Sequence, residues 1–420
     1  MPYASVNHPN GHLRGHVQVP ASKSISNRVL LLQALAGQEP FTISNLSLAN
    51  DTLVLRKALQ EIASGASTIN VADAGTAFRF LTAYLSITPG QWELSGTARL
   101  HQRPIAPLVE ALRSLGASID YIEQEGYAPL RINGKQLHGN TLSIDASMSS
   151  QFVTALLLIS PAFANGLTIN LVNEVSSASY IHMTLQLLQQ AGIQTDWNAQ
   201  SIRIEPGKPF LKSYTVEADW SSIAFFYEMA ALAQSAEIIV EAVTPSLLQG
   251  DAQVATHFET YWGIKSTYKN GHLIITKTAG VVYPHELPCL NFNTTPDLAQ
   301  AWFATAAGNA VNCTLSGIGH LLYKETDRLT ALQKELLKLN ATLNSNQETD
   351  TYALSTKGLP RSLSTLAFET YKDHRMAMAL APLALTKRPV LIAEPTVVHK
   401  SFPAYWQQLQ QLGFQIQYHT

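Results

Sequence analysis

The segment Leu142–Val172, LSIDASMSSQFVTALLLISPAFANGLTINLV, decides how this chain is read. It opens on an alternating strand pattern and turns through small and polar residues. It then runs through SSQFVTALLLIS (149–160) and, past Pro161 and Gly166, ends on a second strand pattern. A helix that is apolar on one side can lie on a surface. This one is apolar on most sides and must be enclosed. With strands before and after it, enclosure places the helix inside and the sheets outside.

The same grammar recurs. Segments 16–46, 69–96, 214–243, 290–318 and 366–394 each read strand, polar turn, apolar helix, break at Gly or Pro, strand. The six turns fall near residues 23, 74, 149, 220, 296 and 373, spaced 71–77 residues apart after one shorter first step. A fixed period of pattern, without identity, is an internal repeat. Between the units lie amphipathic helices such as IAPLVEALRSLGA (105–117) and YIHMTLQLLQQAGI (180–193). Each ends at a glycine and leads into alternating strands. One unit therefore reads β-α-β-α-β-β. The expected fold is α/β and two-lobed with pseudo-symmetry, three such units to a lobe, helices inside and sheets outside. Residues 1–15 with 220–420 form one discontinuous lobe, and residues 16–219 the other. The helix N-termini of each lobe converge on one face. No G-x-G-x-x-G follows a strand, which disfavours a dinucleotide fold.

At 420 residues the chain is too long for one ordinary core. Its net charge of −2 supplies no global field for nucleic acid or an anionic membrane. Cys289 and Cys313 are too few for a disulfide framework or a zinc site and read as buried apolar thiols. The N-terminal residues lack the apolar core of a signal peptide. The longest apolar stretch, 152–164, is broken by Thr154, Ser160 and Pro161 and is too short to span a bilayer. A cytoplasmic protein is expected, without nucleic-acid or membrane partners, and a monomer.

Only 14% of residues are charged, so each cluster of cations carries information. A helix's first turn favours Asp or Glu, because the helix dipole is positive there. This chain repeatedly places cations there: Lys23 and Arg28 in SKSISNR, Arg79 in DAGTAFR, and Arg375 in DHRMAM. Arg103 stands in HQRPI, Lys400 in VVHKSFP, and Lys324 with Arg328 in YKETDRL. Read as helix, Lys324 and Arg328 share a face and repel. An anion between them removes the conflict, with Glu325 beside it as a proton carrier. Helix N–H groups, hydroxyls and Arg or Lys together make phosphate and carboxylate sites. So many cations suit two anionic substrates. Taken singly, Glu325 reads as an i,i+3 partner of Arg328, Asp297 as a helix cap, and His374 as a packed histidine.

In order along nearly the whole chain, PASKSISNR, AGTAFR, QRPI, SSQFVTALL, PD (296–297), KETDRL, DHRMAMAL and KSFPAYW resemble the 5-enolpyruvylshikimate-3-phosphate synthase family. The resemblance implies two lobes of three repeated units with the active site in the cleft between them. It also implies transfer of the enolpyruvyl group of phosphoenolpyruvate to the 5-hydroxyl of shikimate 3-phosphate, releasing phosphate, without metal or organic cofactor. Shikimate 3-phosphate would meet Lys23, Ser24, Arg28, Ser149, Ser150, Gln151, Ser177, Tyr180, Asp297, His320 and Lys324. Phosphoenolpyruvate would meet Lys23, Gly75, Arg103, Gln151, Arg328, Arg375 and Lys400. Thr76, Arg79, Asp373 and His374 would support these anion sites. Asp297 would be the base for the attacking hydroxyl. Glu325 would be the acid at the methylene carbon and later a base, with Lys23 assisting. A carboxyl among cations is normally ionised, so Glu325 must be supplied with a proton when the substrates bind.

Three residues depart from the family pattern: Asp73 precedes AGT where Asn is usual, His320 stands where an Asn contacts the shikimate part, and Phe80 follows Arg79 where many bacterial members have Pro. Gly75 is kept, so glyphosate is expected to compete for the phosphoenolpyruvate subsite. The rivals are UDP-N-acetylglucosamine enolpyruvyl transfer, RNA 3′-phosphate cyclisation and a non-catalytic anion-binding relative. The first uses a loop cysteine that GTARLHQRP (96–104) lacks. The second needs a nucleophilic histidine with a nucleotide site, and the third would not keep both Asp297 and Glu325.

Overall fold

The computed structural model describes residues 2–37, 41–147, 149–360 and 365–419. The chain divides into two compact units, Ala21–Val216 and the discontinuous Met1–Pro20 with Glu217–Thr420.

In the unit Ala21–Val216, one full repeat runs Thr68–Asn70, helix Gly75–Ile87, Gly90–Ser95, helix Ala106–Ser114, then the hairpin Ser118–Tyr121 and Leu130–Gly134. The first two strands pair in parallel, with Ile69 opposite Leu94, and the hairpin adds antiparallel, with Trp92 opposite Ile132. The second repeat, Thr141–Asp145 through Ser201–Ile204, has the same topology around helix Ser150–Ile159. The third is abbreviated. Helix Lys23–Ala36 leads to the short strand Thr42–Ser44, which among the described residues pairs only with Ser213–Thr215. It has no hairpin, which accounts for the short first step in the sequence period.

Among the described residues the other unit holds three four-stranded sheets. Its buried helices are Trp220–Leu232, Ala299–Gly308 and His374–Leu380, which pack on one another. Every residue of Ala299–Gly308 is buried, and so is every residue of His374–Leu380, as apolar all-round patterns require. The last sheet is completed from far away in sequence. The strand Tyr3–Asn7 lies antiparallel between Val390–Ala393 and Gln415–His419.

One detail differs from the sequence reading. The strand before helix Lys23–Ala36 and the strand before helix Trp220–Leu232 exchange places. His12–Val17 pairs in parallel with Ser235–Val240, and Ser213–Thr215 pairs with Thr42–Ser44. Leu13 and Val17 thereby bury their side chains in the core of Met1–Pro20 with Glu217–Thr420. Such short strands carry no local mark of their partner, and cross-strand burial decides it. The thiols also differ from expectation. Cys313 is buried, and desolvation raises its pKa to about 12, but Cys289 is exposed on the strand Glu286–Asn291. No described helix is long and apolar enough to cross a membrane.

Candidate active site

In the unit Ala21–Val216 the predicted residues gather at three helix starts. Lys23 is the first residue of its helix, Gly75 of the second and Ser150 of the third. Ser22 and Ser149 cap the outer two, accepting from the backbone N–H groups of Ile25 and Gln151. Lys23 Nζ lies 3.4 Å from the buried Asp51 carboxylate.

Arg28 is the most telling group of this unit. Its side chain is almost wholly buried, at 3% exposure, and among the described residues it has no carboxylate partner. It donates instead to neutral acceptors: Nε to Thr184 Oγ1 at 2.8 Å, Nη1 to the Ser24 carbonyl at 2.8 Å, and Nη2 to the Tyr180 carbonyl at 3.2 Å and Thr154 Oγ1 at 3.3 Å. Desolvation lowers its pKa to about 10, which still leaves it cationic at neutral pH. A buried, charged guanidinium without a counter-ion is expensive and lowers its energy when an anion arrives. Tyr180 also places its ring beside Arg28, 5.8 Å from the guanidinium carbon. Ser177, buried at the start of the same helix, holds a left-handed φ of 56°. Strained backbone of this kind clusters at binding sites.

A second group surrounds Gly75. Arg79 Nη1 donates to Gln151 Oε1 at 2.8 Å, and Gln151 Nε2 donates to Thr76 Oγ1 at 3.3 Å. The Arg103 guanidinium lies against Gly75 so closely that a Cβ there would sit 2.1 Å from Nη1. The hydroxyl of Thr97 donates to Asp73, so the departure at that position is held by a neighbouring loop.

The unit Met1–Pro20 with Glu217–Thr420 carries the carboxylates. Arg328, 2% exposed, donates through all three nitrogens: Nε to Asp373 at 2.8 Å, Nη1 to Asp297 at 3.0 Å and Nη2 to Glu325 at 2.7 Å. Burial opposes its charge, but Asp373, Glu325 and Asp297 outweigh that and hold its pKa above the ordinary value. Asp297 also receives Arg375, with Nη2 at 2.8 Å on the carboxylate and Nη1 at 3.1 Å on the carbonyl. Asp373 caps the helix His374–Leu380 by accepting from Arg375 N. His374 is buried, with Nδ1 3.7 Å from Asp373. Lys400 ends the 3-10 turn Pro395–Lys400, which packs on that helix. His320 is buried, and desolvation, helped by Lys324, lowers its pKa to about 3, so it is neutral.

Two local readings are corrected. Lys324 and Arg328 do not share a helix face. Asp327 caps the helix Arg328–Leu336, accepting from Thr330 N at 2.9 Å, so Lys324 stands in the bend before it. Arg328 accordingly holds three carboxylates of the chain itself. Asp297 is not a cap. It sits in the 3-10 turn Pro296–Leu298 ahead of helix Ala299–Gly308 and bridges two guanidiniums. Sequence reasoning also missed two buried carboxylates, Asp251, which interacts electrostatically with Asp297 and Arg375, and Asp219, which acts on Asp251. Asp219 could have been found as the acid just before an apolar helix.

The structural comparisons define the fold. The fold matches an EPSP synthase from Acinetobacter baumannii with a TM-score of 0.76 at 21% identity, each chain covered completely. It matches the enolpyruvyl transferase NikO from Streptomyces tendae equally well, with a TM-score of 0.76 at 13% identity and coverage of 100% and 99%. The chain thus shares the fold of these two proteins. The sequence is more specific. Residues 8–71 and 57–409 match the family described as EPSP synthase (3-phosphoshikimate 1-carboxyvinyltransferase), and the chain belongs to it. Relatives named 3-phosphoshikimate 1-carboxyvinyltransferase are 41% identical in Bacteroides fragilis, covering 96% of each chain. The Vibrio cholerae relative of that name is 34% identical, covering 96% of this chain and 97% of its own.

Proposed function

We propose that the chain transfers the enolpyruvyl group of phosphoenolpyruvate to the 5-hydroxyl of shikimate 3-phosphate and releases phosphate, as a cytoplasmic biosynthetic step. One observation carries the chemistry: Arg328 binds Asp297 and Glu325 together, at 3.0 and 2.7 Å. A base and an acid are thereby held on one rigid cation. Family membership supports the substrate pair.

Arg28, with Lys23, Ser24, Ser149, Ser150, Gln151, Ser177 and Tyr180, takes shikimate 3-phosphate. The buried guanidinium, whose acceptors are all neutral, is the anchor for its phosphate. Asp297, His320 and Lys324 complete that subsite. Lys23, Gly75, Arg103, Gln151, Arg328, Arg375 and Lys400 take phosphoenolpyruvate, supported by Thr76, Arg79, Asp373 and His374. Asp297 accepts the proton of the 5-hydroxyl as it attacks the substituted vinyl carbon. Glu325, assisted by Lys23, delivers a proton to the methylene carbon. In the second step the new methyl group gives a proton back, and the C–O bond to phosphate breaks. These three bonds use three of the five N–H donors of Arg328, so one on each Nη remains for the incoming anion.

The test is phosphate release on mixing the protein with both substrates. Glu325→Gln and Asp297→Asn should each lower kcat by about 10²–10⁴-fold, the usual share of general acid–base catalysis. Wild-type protein that releases no phosphate with this pair, or a Glu325→Gln variant with full kcat, overturns the reading.

A further inference from the structure

The segment 369–373 turns sharply before helix His374–Leu380. The backbone N–H of Asp373 donates to the Thr370 carbonyl at 2.9 Å, and between them Tyr371 and Lys372 hold φ angles of 54° and 57°. A turn whose two central residues are both left-handed is normally filled by Gly, Asn or Asp. A tyrosine and a lysine there are strained, and they persist only where the surroundings over-determine the backbone. The strain sits next to the chemistry. The turn delivers Asp373, whose Oδ2 receives Arg328 Nε at 2.8 Å and whose Oδ1 receives the backbone N–H of Arg375 at 2.9 Å.

The constraint comes from Glu335. It is 1% exposed and stands on helix Arg328–Leu336, two turns after Arg328 and on the same face. Its Oε1 accepts from the Tyr371 hydroxyl at 2.7 Å, and its Oε2 accepts from the Glu369 backbone N–H at 3.0 Å. Lys338 pairs with the same Oε2 and donates to the Ala367 carbonyl at 2.8 Å. One helix thus grips the turn at both ends, through Glu335 on Glu369 and Tyr371 and through Arg328 on Asp373. Neither Glu335 nor Tyr371 is among the groups that meet substrate in the function proposed above.

We propose that Glu335 and Tyr371 are positioning residues, a latch that sets Asp373, and through it Arg328 and Arg375, for the phosphoenolpyruvate anion. The inference rests on the proposed function, in which both arginines take that substrate. With the latch released, the turn relaxes toward unstrained backbone and Asp373 loses its fixed place between the two arginines. Shikimate 3-phosphate, anchored through its phosphate by Arg28, should bind almost as before.

The experiment measures phosphate release by wild type, Tyr371→Phe, Glu335→Gln and the double variant, varying each substrate with the other saturating. Tyr371→Phe removes only a hydroxyl. It should raise the KM for phosphoenolpyruvate about tenfold, the usual weight of a hydrogen bond to a charged group, and leave the KM for shikimate 3-phosphate within about twofold. Glu335→Gln, which keeps one acceptor oxygen of two, should show the same selective rise. The double variant should be scarcely worse than the worse single one, because both residues act through one contact. A structural role alone would reduce the amount of folded enzyme, and so kcat, without separating the two KM values. Active wild type with a KM for phosphoenolpyruvate unchanged in either variant, with both KM values raised alike, or with fully additive effects overturns this inference alone. Wild type that releases no phosphate removes the function as well.

Discussion

Replacing Gly75 by Ala tests the phosphoenolpyruvate subsite with one methyl group. The added Cβ would lie 2.1 Å from Arg103 Nη1 and 2.6 Å from its Cζ. Ordinary contact requires about 3.4 Å, so the guanidinium must retreat by about 1.3 Å. The backbone of Gly75 is not in the left-handed region, and Ala is a better helix former. Stability should therefore stay within about 0.5 kcal/mol of wild type. The cost falls on Arg103. A hydrogen bond to a charged group contributes about 1.5–3 kcal/mol, so misplacing it should raise the KM for phosphoenolpyruvate by roughly 10–100-fold. Glyphosate, expected to compete for the same subsite, should lose affinity in parallel. The assay is phosphate release at varied phosphoenolpyruvate and saturating shikimate 3-phosphate, repeated for Arg103→Ala and the double variant. If the methyl acts through Arg103, the two effects are not additive. A KM within twofold of wild type, or full additivity, would refute the steric argument.

Two further outcomes follow from buried charge. Arg328→Gln leaves Asp373, Asp297 and Glu325 without their shared cation, and Asp373 is fully buried. Urea unfolding should show a loss of about 3–5 kcal/mol, and a loss below 1 kcal/mol would contradict the importance assigned to this contact. Glu228 is fully buried, and neither carboxylate oxygen has a hydrogen-bond partner among the described residues. Desolvation raises its pKa well above the ordinary value of 4.5. The folded state therefore binds its proton more tightly than the unfolded chain, and stability falls as pH rises from 4.5 upward. Glu228→Gln removes that slope, at most about 1.4 kcal/mol per pH unit, so the variant gains on wild type between pH 5 and pH 8. Parallel stability curves would show that Glu228 is already neutralised by other means.

What the sequence revealed depended on how local each signal was. Helices such as 150–159 and 299–308 are apolar on most sides, and that alone required a layered interior. The recurring turns then supplied the repeat. The cations at helix starts were legible because they oppose the local dipole preference, and Lys23 and Arg375 do occupy first turns. The exchange of lead strands was not legible, since His12–Val17 and Ser213–Thr215 find their partners more than 170 residues away or across a change of unit order. The Lys324–Arg328 pairing was misread although the correcting signal was present: Asp327 just before RLTAL is an N-cap pattern. Asp251 carried no signal at all. It is an acid in a Gly-containing loop, and only folding buries it.

The placement of Tyr3–Asn7 between Val390–Ala393 and Gln415–His419 has a consequence for biogenesis. Tyr3–Asn7 acquires its neighbours long after it is made, because both of its partners lie far downstream in the chain. The intervening unit Ala21–Val216 has all of its own strands available much earlier and can condense while the opening segment waits. Long-range closure of this kind is slow. Interrupted translation should therefore leave a folded insert flanked by an unpaired, aggregation-prone β-edge, a hazard that nascent-chain chaperones are suited to cover.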